Sequence, residues 1–172
     1  MKPVIALKTS QKNNKGFTLI ELVVVIVILG ILAATVAPKY IDLTAEAHTA
    51  TLQAVKGSLE GASALVYSKS IIAGNQNEEN GSIILTDGSS LDIRYGNPLS
   101  PGPFDVITAD VYWRRIIDIS DEFVISASTS TKILIYPRSM GSIIDSNAAC
   151  LVSYDPPKIA GEKPVIDINE CI

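Results

Sequence analysis

The sequence predicts an α+β fold: a long N-terminal helix over about residues 17–73, packed on a roughly four-stranded antiparallel sheet, with a loop closed by a cysteine pair at the C-terminus. Three observations predict it. Residues 22–37 run without a single charge, bounded by Glu21 and Pro38. Beyond Pro38 apolar residues recur three and four apart, the spacing of a helix with one buried stripe. From Ser82 the period shifts towards two, the spacing of half-buried strands.

The helix has two parts with different surroundings. Roughly twenty apolar residues at about 1.5 Å each cross a hydrocarbon core. Residues 17–38 are apolar on all sides, so this segment belongs in lipid or inside an assembly. Glu21 sits just inside it, where an acid costs on the order of 2.5–3.5 kcal/mol and calls for a partner. No other group within the helix is expected to pair with it. Gly30 and Pro38 interrupt the segment, and Pro38 removes one backbone hydrogen bond and favours a kink. Residues 39–74 form the amphipathic half. Its expected buried stripe is Ile41, Ala45, His48, Leu52, Val55, Leu59, Ala62 and Val66, with Asp42, Glu46, Gln53, Lys56 and Glu60 opposite. Gly74-Asn75 supplies a stop signal.

Residues 75–172 form the globular head. Strands are expected at 82–86 and 91–95, joined through the turn residues Asp87-Gly88-Ser89-Ser90. Asn97-Pro98, Pro101 and Pro103 are expected to break the chain. Residues 104–117 predict a helical turn or two, with Trp113 and Ile117 packing inward. Further strands are expected at 124–127, 132–136, 150–154 and 165–168, with Asp155-Pro156-Pro157 ending one of them. The layout places helix against antiparallel sheet.

A length of 172 residues suits one domain plus an appendage. Residues 1–16 carry Lys2, Lys8, Lys12 and Lys15 and no acid, so their loss would lower the net charge from −4 to −8. So acidic a remainder argues against nucleic acid as a partner. A positive leader ahead of the apolar span predicts a cytoplasmic leader and a head on the far side of the membrane. There, Cys150 and Cys171 pair by default. The bridge closes a loop of about 22 residues and contributes roughly 3.4 kcal/mol in the chain-entropy model.

An enzyme needs a constellation, and none is legible. The single histidine, His48, falls on the expected packing stripe. There is no phosphate-binding glycine loop and no His-rich metal spacing. No catalytic residue, cofactor or metal site is predicted. The acids at Asp118, Asp121 and Glu122, and at Asp155, Asp167 and Glu170, read as solvated charge. Asn80-Gly81-Ser82 fits the N-glycosylation pattern but reads as a loop. Trp113 with Tyr112 and Arg114 reads as a buried anchor rather than a stacking platform.

The N-terminal pattern is more specific. Lys15-Gly16-Phe17-Thr18-Leu19-Ile20-Glu21, then the apolar helix, resembles the type IV prepilin signal. An ordinary secretory signal would be cut after the apolar stretch, where Thr35-Val36-Ala37 is followed by an obstructive Pro38.

The resemblance implies a type IV (IVa) pilin precursor with the pilin fold. It implies that a membrane-embedded prepilin peptidase cuts between Gly16 and Phe17 and methylates the new amino terminus. It implies that 17–38 becomes a filament-core helix and that Glu21 pairs with the Phe17 amine of a neighbouring subunit. An amine titrating near 8 is cationic at neutral pH and can neutralise that carboxylate. The stretch Gly30–Pro38 becomes the place where the helix loosens in a filament. The implied partners are further pilin subunits in a helical homo-oligomer, the prepilin peptidase, and an inner-membrane assembly platform. The subunit is held in the inner membrane before assembly and is extracellular in the pilus. Within the family, Lys56-Gly57-Ser58-Leu59, Gly61-Ala62-Ser63 and Val66-Tyr67 are similar to the mannose-sensitive haemagglutinin (MSHA) pilins. That similarity implies a fimbrium used in cell adhesion and biofilm formation. The alternatives are a type II secretion pseudopilin or a minor, priming pilin, and after them a glycan-binding tip adhesin.

Overall fold

The computed structural model describes residues 16–99, 106–128, 131–143 and 145–172. The basic leader up to Lys15, the prolines at 101 and 103, and Phe104 lie outside the described residues. The chain divides into two compact units, Met1–Ile41 and Asp42–Ile172. Helix α1 (Leu19–Ala73) contributes to both.

In the first unit every described side chain from 16 to 40 is exposed. Leu22 is 62% exposed and Ile31 62%. An apolar surface of this extent requires lipid or protein around it. The helix is continuous through Gly30 and Pro38. Pro38 nevertheless has no N–H to offer the Ala34 carbonyl. One turn earlier, the Thr35 hydroxyl donates to the Leu32 carbonyl at 2.9 Å, a side-chain bond that competes with the backbone ladder.

In the second unit the expected stripe holds from Leu52 onward: Leu52, Val55, Leu59, Ala62 and Val66 are buried. Before Leu52 it fails. His48 is exposed and Ala45 only half-buried, because the core against which α1 packs begins at Leu52. The side chains of Ile41 and Asp42 lie outside the described residues. The helix ends as expected. Gly74 takes φ +77, its N–H donates to the Ile71 carbonyl, and the Asn75 N–H donates to the Ser70 carbonyl. This pair of bonds is the Schellman arrangement.

Strands β1 (Gly81–Ile84) and β2 (Ser90–Arg94) form the expected hairpin, with Gly81 opposite Ile93 and Ile84 opposite Ser90. The Asp87 carboxylate accepts the Ser89 N–H and hydroxyl at the turn, which lowers its pKa. The next segment departs from expectation. Asn97-Pro98 does not simply break the chain but pairs with Ile93-Arg94 as β3 (Asn97–Pro98). Tyr95 and Gly96 adopt φ +46 and +78. Two consecutive left-handed residues make the tight turn that suits a two-residue hairpin. The Tyr95 N–H donates to the Glu78 carbonyl at 2.8 Å.

After α2 (Val106–Trp113) come β4 (Phe123–Ala127), β5 (Ile133–Pro137), β6 (Leu151–Asp155) and β7 (Val165–Asn169). They form the expected four-stranded antiparallel sheet, in the order β4-β5-β6-β7. The β1–β2 hairpin does not join it; β1-β2-β3 is a separate three-stranded sheet. Alternation decides the faces. Ile125, Ile133, Ile135, Val152 and Tyr154 share the main core with α1. Leu134, Tyr136 and Leu151 point to the other face, where Ile143 and Ala148 cover them.

Candidate functional site

The first group of predicted site residues lies at the start of α1. Phe17 is 93% exposed, and Gly16 precedes it with open space where a Cβ would stand. Thr18 caps the helix. The Thr18 N–H donates to Glu21 Oε2 at 2.8 Å and the Thr18 hydroxyl donates to the same oxygen at 2.7 Å. In return the Glu21 N–H approaches Thr18 Oγ1 at 3.3 Å. This is a capping box, a Ser/Thr followed three residues later by Glu, and it satisfies donors that the first turn otherwise leaves orphaned.

The expectation that no other group within the helix pairs with Glu21 is corrected by these bonds to Thr18. Within one chain the carboxylate already accepts two hydrogen bonds, and one is from a backbone N–H. Neither bond brings a positive charge, so the anion is stabilised but not neutralised. The sequence carries the signal in Thr18-Leu19-Ile20-Glu21, which is the capping-box pattern. Gly30 and Pro38, further along α1, contact none of these residues through a side-chain bond among those described. Gly30 has open space around it.

The second group lies in the second unit. Cys150 and Cys171 are joined by a disulfide, so neither is a free thiol. The bridge sits in a dense set of bonds. The Cys150 N–H donates to the Glu170 carbonyl at 3.1 Å, and the Cys171 N–H donates to Thr49 Oγ1 of α1 at 3.0 Å. The Asn169 carboxamide donates to the Ser146 and Ala148 carbonyls at 3.0 and 2.8 Å. The loop before β6 is thereby fastened to the strand β7, and the tail to the helix.

Other candidates resolve into structure. Trp113 is 1% exposed and meets Tyr154 edge-on at 4.8 Å between ring centroids. The Arg114 guanidinium donates to Asp110, to the Ile119 carbonyl and to the Phe123 carbonyl. It bolts the end of α2 to β4. Two buried serines escaped the apolar stripe. Ser63 donates to the Asn97 carboxamide oxygen at 3.0 Å, which accounts for a hydroxyl in the helix–sheet contact. Ser70 donates to the Tyr67 carbonyl. The Tyr154 hydroxyl donates to the Pro98 carbonyl, and burial pushes its pKa up. No group of three or more His, Cys, Asp or Glu able to hold a metal occurs among the described residues. A cleft of about 560 Å³ opens beside α1, lined by Glu60, Ser63, Tyr67, Asn97 and Lys163 among others.

An apolar N-terminal helix with a capped acid in its first turn, leading into a disulfide-closed α+β head, defines a membrane-anchored subunit. Comparison with known proteins makes the class specific. The family model of the prokaryotic N-terminal methylation motif matches residues 11–37. The chain is 44% identical over 81 residues to the major component of the type IV narrow pilus of Thermus thermophilus, covering 44% of this chain and 67% of that protein. It is 42% identical over 65 residues to a fimbrial protein of Pseudomonas aeruginosa, covering 37% of this chain and 42% of that one. Over 35 residues it is 63% identical to a type IV major pilin protein of Neisseria gonorrhoeae, a stretch that is 20% of this chain and 21% of the relative. No solved structure matches the chain. The chain belongs to the type IV pilin family.

Proposed function

We propose that this chain is the precursor of a structural subunit of a thin, MSHA-like type IV filament that mediates surface attachment and biofilm formation. The observation that carries the reading is the N-terminal constellation: one carboxylate, four residues after Phe17, in the otherwise uncharged and exposed apolar segment 17–38 that opens the long helix. Residues 1–16 are a leader that stays in the cytoplasm. A prepilin peptidase cuts between Gly16 and Phe17 and methylates Phe17. Residues 17–38 hold the subunit in the inner membrane and then enter the filament core. Residues 39–74 are the amphipathic half of the helix, and 75–172 form the head. An inner-membrane platform drives assembly, and Gly30–Pro38 loosens as the helix packs.

The MSHA-like assignment and the attachment role rest on the similarity of residues 52–74 to those pilins. A pseudopilin or a priming pilin shares the same N-terminal constellation. N-terminal sequencing of the mature chain tests processing: it should begin at a methylated Phe17, whereas a start at Pro38 would establish an ordinary secretory signal. Electron microscopy of cells with and without the chain tests the filament role. Loss of most surface filaments identifies a major subunit; unchanged filaments would remove that assignment.

A further inference from the structure

We propose that Asn80 is an N-glycosylation site, accepting an oligosaccharide from a lipid-pyrophosphate donor on the far side of the membrane. The inference rests on the reading that places the head there. Asn80-Gly81-Ser82 is the one Asn-x-Ser/Thr triplet in the chain, and its middle residue is not proline. The fold presents it in an accessible form. Asn80 is exposed, in the bend between the cap of α1 and β1, and its carboxamide makes no hydrogen bond among the described residues.

β1 is the outer strand of its sheet among the described residues, with β2 as its one paired neighbour. Along β1 the burial alternates: Ser82 and Ile84 face outward while Ile83 is buried. Asn80 in the bend and Ser82 in β1 are both exposed within three residues, so one enzyme can reach the hydroxyl and the carboxamide from solvent. Gly81 matters between them. A Cβ there would stand 3.1 Å from the Glu78 carboxylate and 3.4 Å from Ile93, so glycine lets the chain turn into the strand beside that acid.

In the transfer, Asn80 Nδ2 forms a bond to the anomeric carbon and gives up one proton. The bond from that carbon to the pyrophosphate oxygen breaks, and the lipid pyrophosphate leaves with the electron pair. A glycan at this place also covers the open edge of β1 and blocks strand-to-strand pairing with another chain.

The test is mass spectrometry of the tryptic peptide bounded by Lys69 and Arg94, from the full chain in its native cells. The membrane fraction and the sheared surface fraction are analysed separately. The expected result is a saccharide-bearing peptide with fragment ions placing the sugar on Asn80. Asn80→Gln and Ser82→Ala should both abolish it, and Ser82→Thr should retain it. An unmodified peptide in both fractions would overturn the proposal. So would conversion of Asn80 to aspartate as the sole change, or a sugar that persists in Ser82→Ala. A glycopeptide found in the membrane fraction with no filament fraction at all would instead count against the filament reading and leave the glycosylation standing.

Discussion

Glu21 and Thr18 separate two effects that a single alanine substitution confounds. Glu21 has a local task, closing the capping box with Thr18, and a proposed intermolecular task, offering charge to the Phe17 amine of a neighbour. Glutamine serves a capping box as glutamate does, so Glu21→Gln keeps the cap and removes the charge. Thr18→Val removes the hydroxyl and keeps the charge, at about 1 kcal/mol for a weakened cap. If the charge drives assembly, Glu21→Gln should lose filaments as completely as Glu21→Ala, while Thr18→Val should retain most of them. All three should insert into the membrane, since the acid opposes insertion by about 2.5–3.5 kcal/mol. Quantifying sheared filaments against the membrane pool decides it, and abundant filaments from Glu21→Gln would reduce Glu21 to a helix cap. At the proposed processing site, a peptidase pocket fitted to glycine would have no room for a side chain. Gly16→Val should therefore accumulate uncut precursor, read as a larger band in the membrane fraction. Normal maturation of that variant would place the cut elsewhere. At this scale the charge at Glu21 was legible because an acid in an apolar run stands out. The cap was legible too, but the same four residues were read for charge alone.

Elements were legible where one physical pattern dominated. The Schellman end at Gly74 follows from a glycine after the last periodic residue, and the central strands of the main sheet follow from short apolar runs that are buried on both faces, throughout β5 and over all but the last residue of β6. β3 was not legible. Asn97-Pro98 reads as a breaker, and its pairing depends on Tyr95 taking φ +46, a conformation that nothing in a tyrosine advertises. Alternation also locates strands without naming their partners, so the split into two sheets had no signal in the pattern. His48 misled for a related reason: helical spacing continues whether or not a core lies opposite. The turn at Tyr95-Gly96 is a sensitive point. A Cβ on Gly96 would fall 2.6 Å from Ser70 Oγ and 2.7 Å from Tyr67 Cδ2, at φ +78. Gly96→Ala should combine left-handed strain with a clash against α1 and destabilise the head by about 2–4 kcal/mol. Denaturant unfolding of the full chain in detergent, followed by Trp113 fluorescence, measures it. A shift under about 0.5 kcal/mol would show that the turn relaxes away from the helix without penalty.

At the scale of the whole chain, two units meet different solvents: one exposes an apolar helix, and the other buries its apolar residues in a core of its own. Composition distinguishes the two kinds of surface, because a long uncharged apolar run is costly to leave in water and an amphipathic one need not leave it. It also predicts that damage to the head and damage to the anchor are separable. The Cys150–Cys171 bridge lies wholly in the second unit. It closes the β6–β7 hairpin into a loop whose tail bonds to Thr49. Without the bridge, the entropy of the open tail competes with a few hydrogen bonds around Asn169 and Cys171. Loss of a native disulfide costs about 2–5 kcal/mol, a large share of the roughly 5–15 kcal/mol typical of a domain. Cys150→Ser with Cys171→Ser, chosen so that no single thiol is left to cross-link, should therefore lower the unfolding midpoint of the head and make it more susceptible to proteolysis. If residues 17–38 carry membrane insertion, as proposed, the newly inserted pool should match the wild type in a short pulse label. Surface filaments should fall steeply. If the double variant assembles filaments at the wild-type level with an unchanged midpoint, the hydrogen bonds around Asn169 and Thr49 hold the C-terminal loop on their own, and the disulfide is dispensable to the fold.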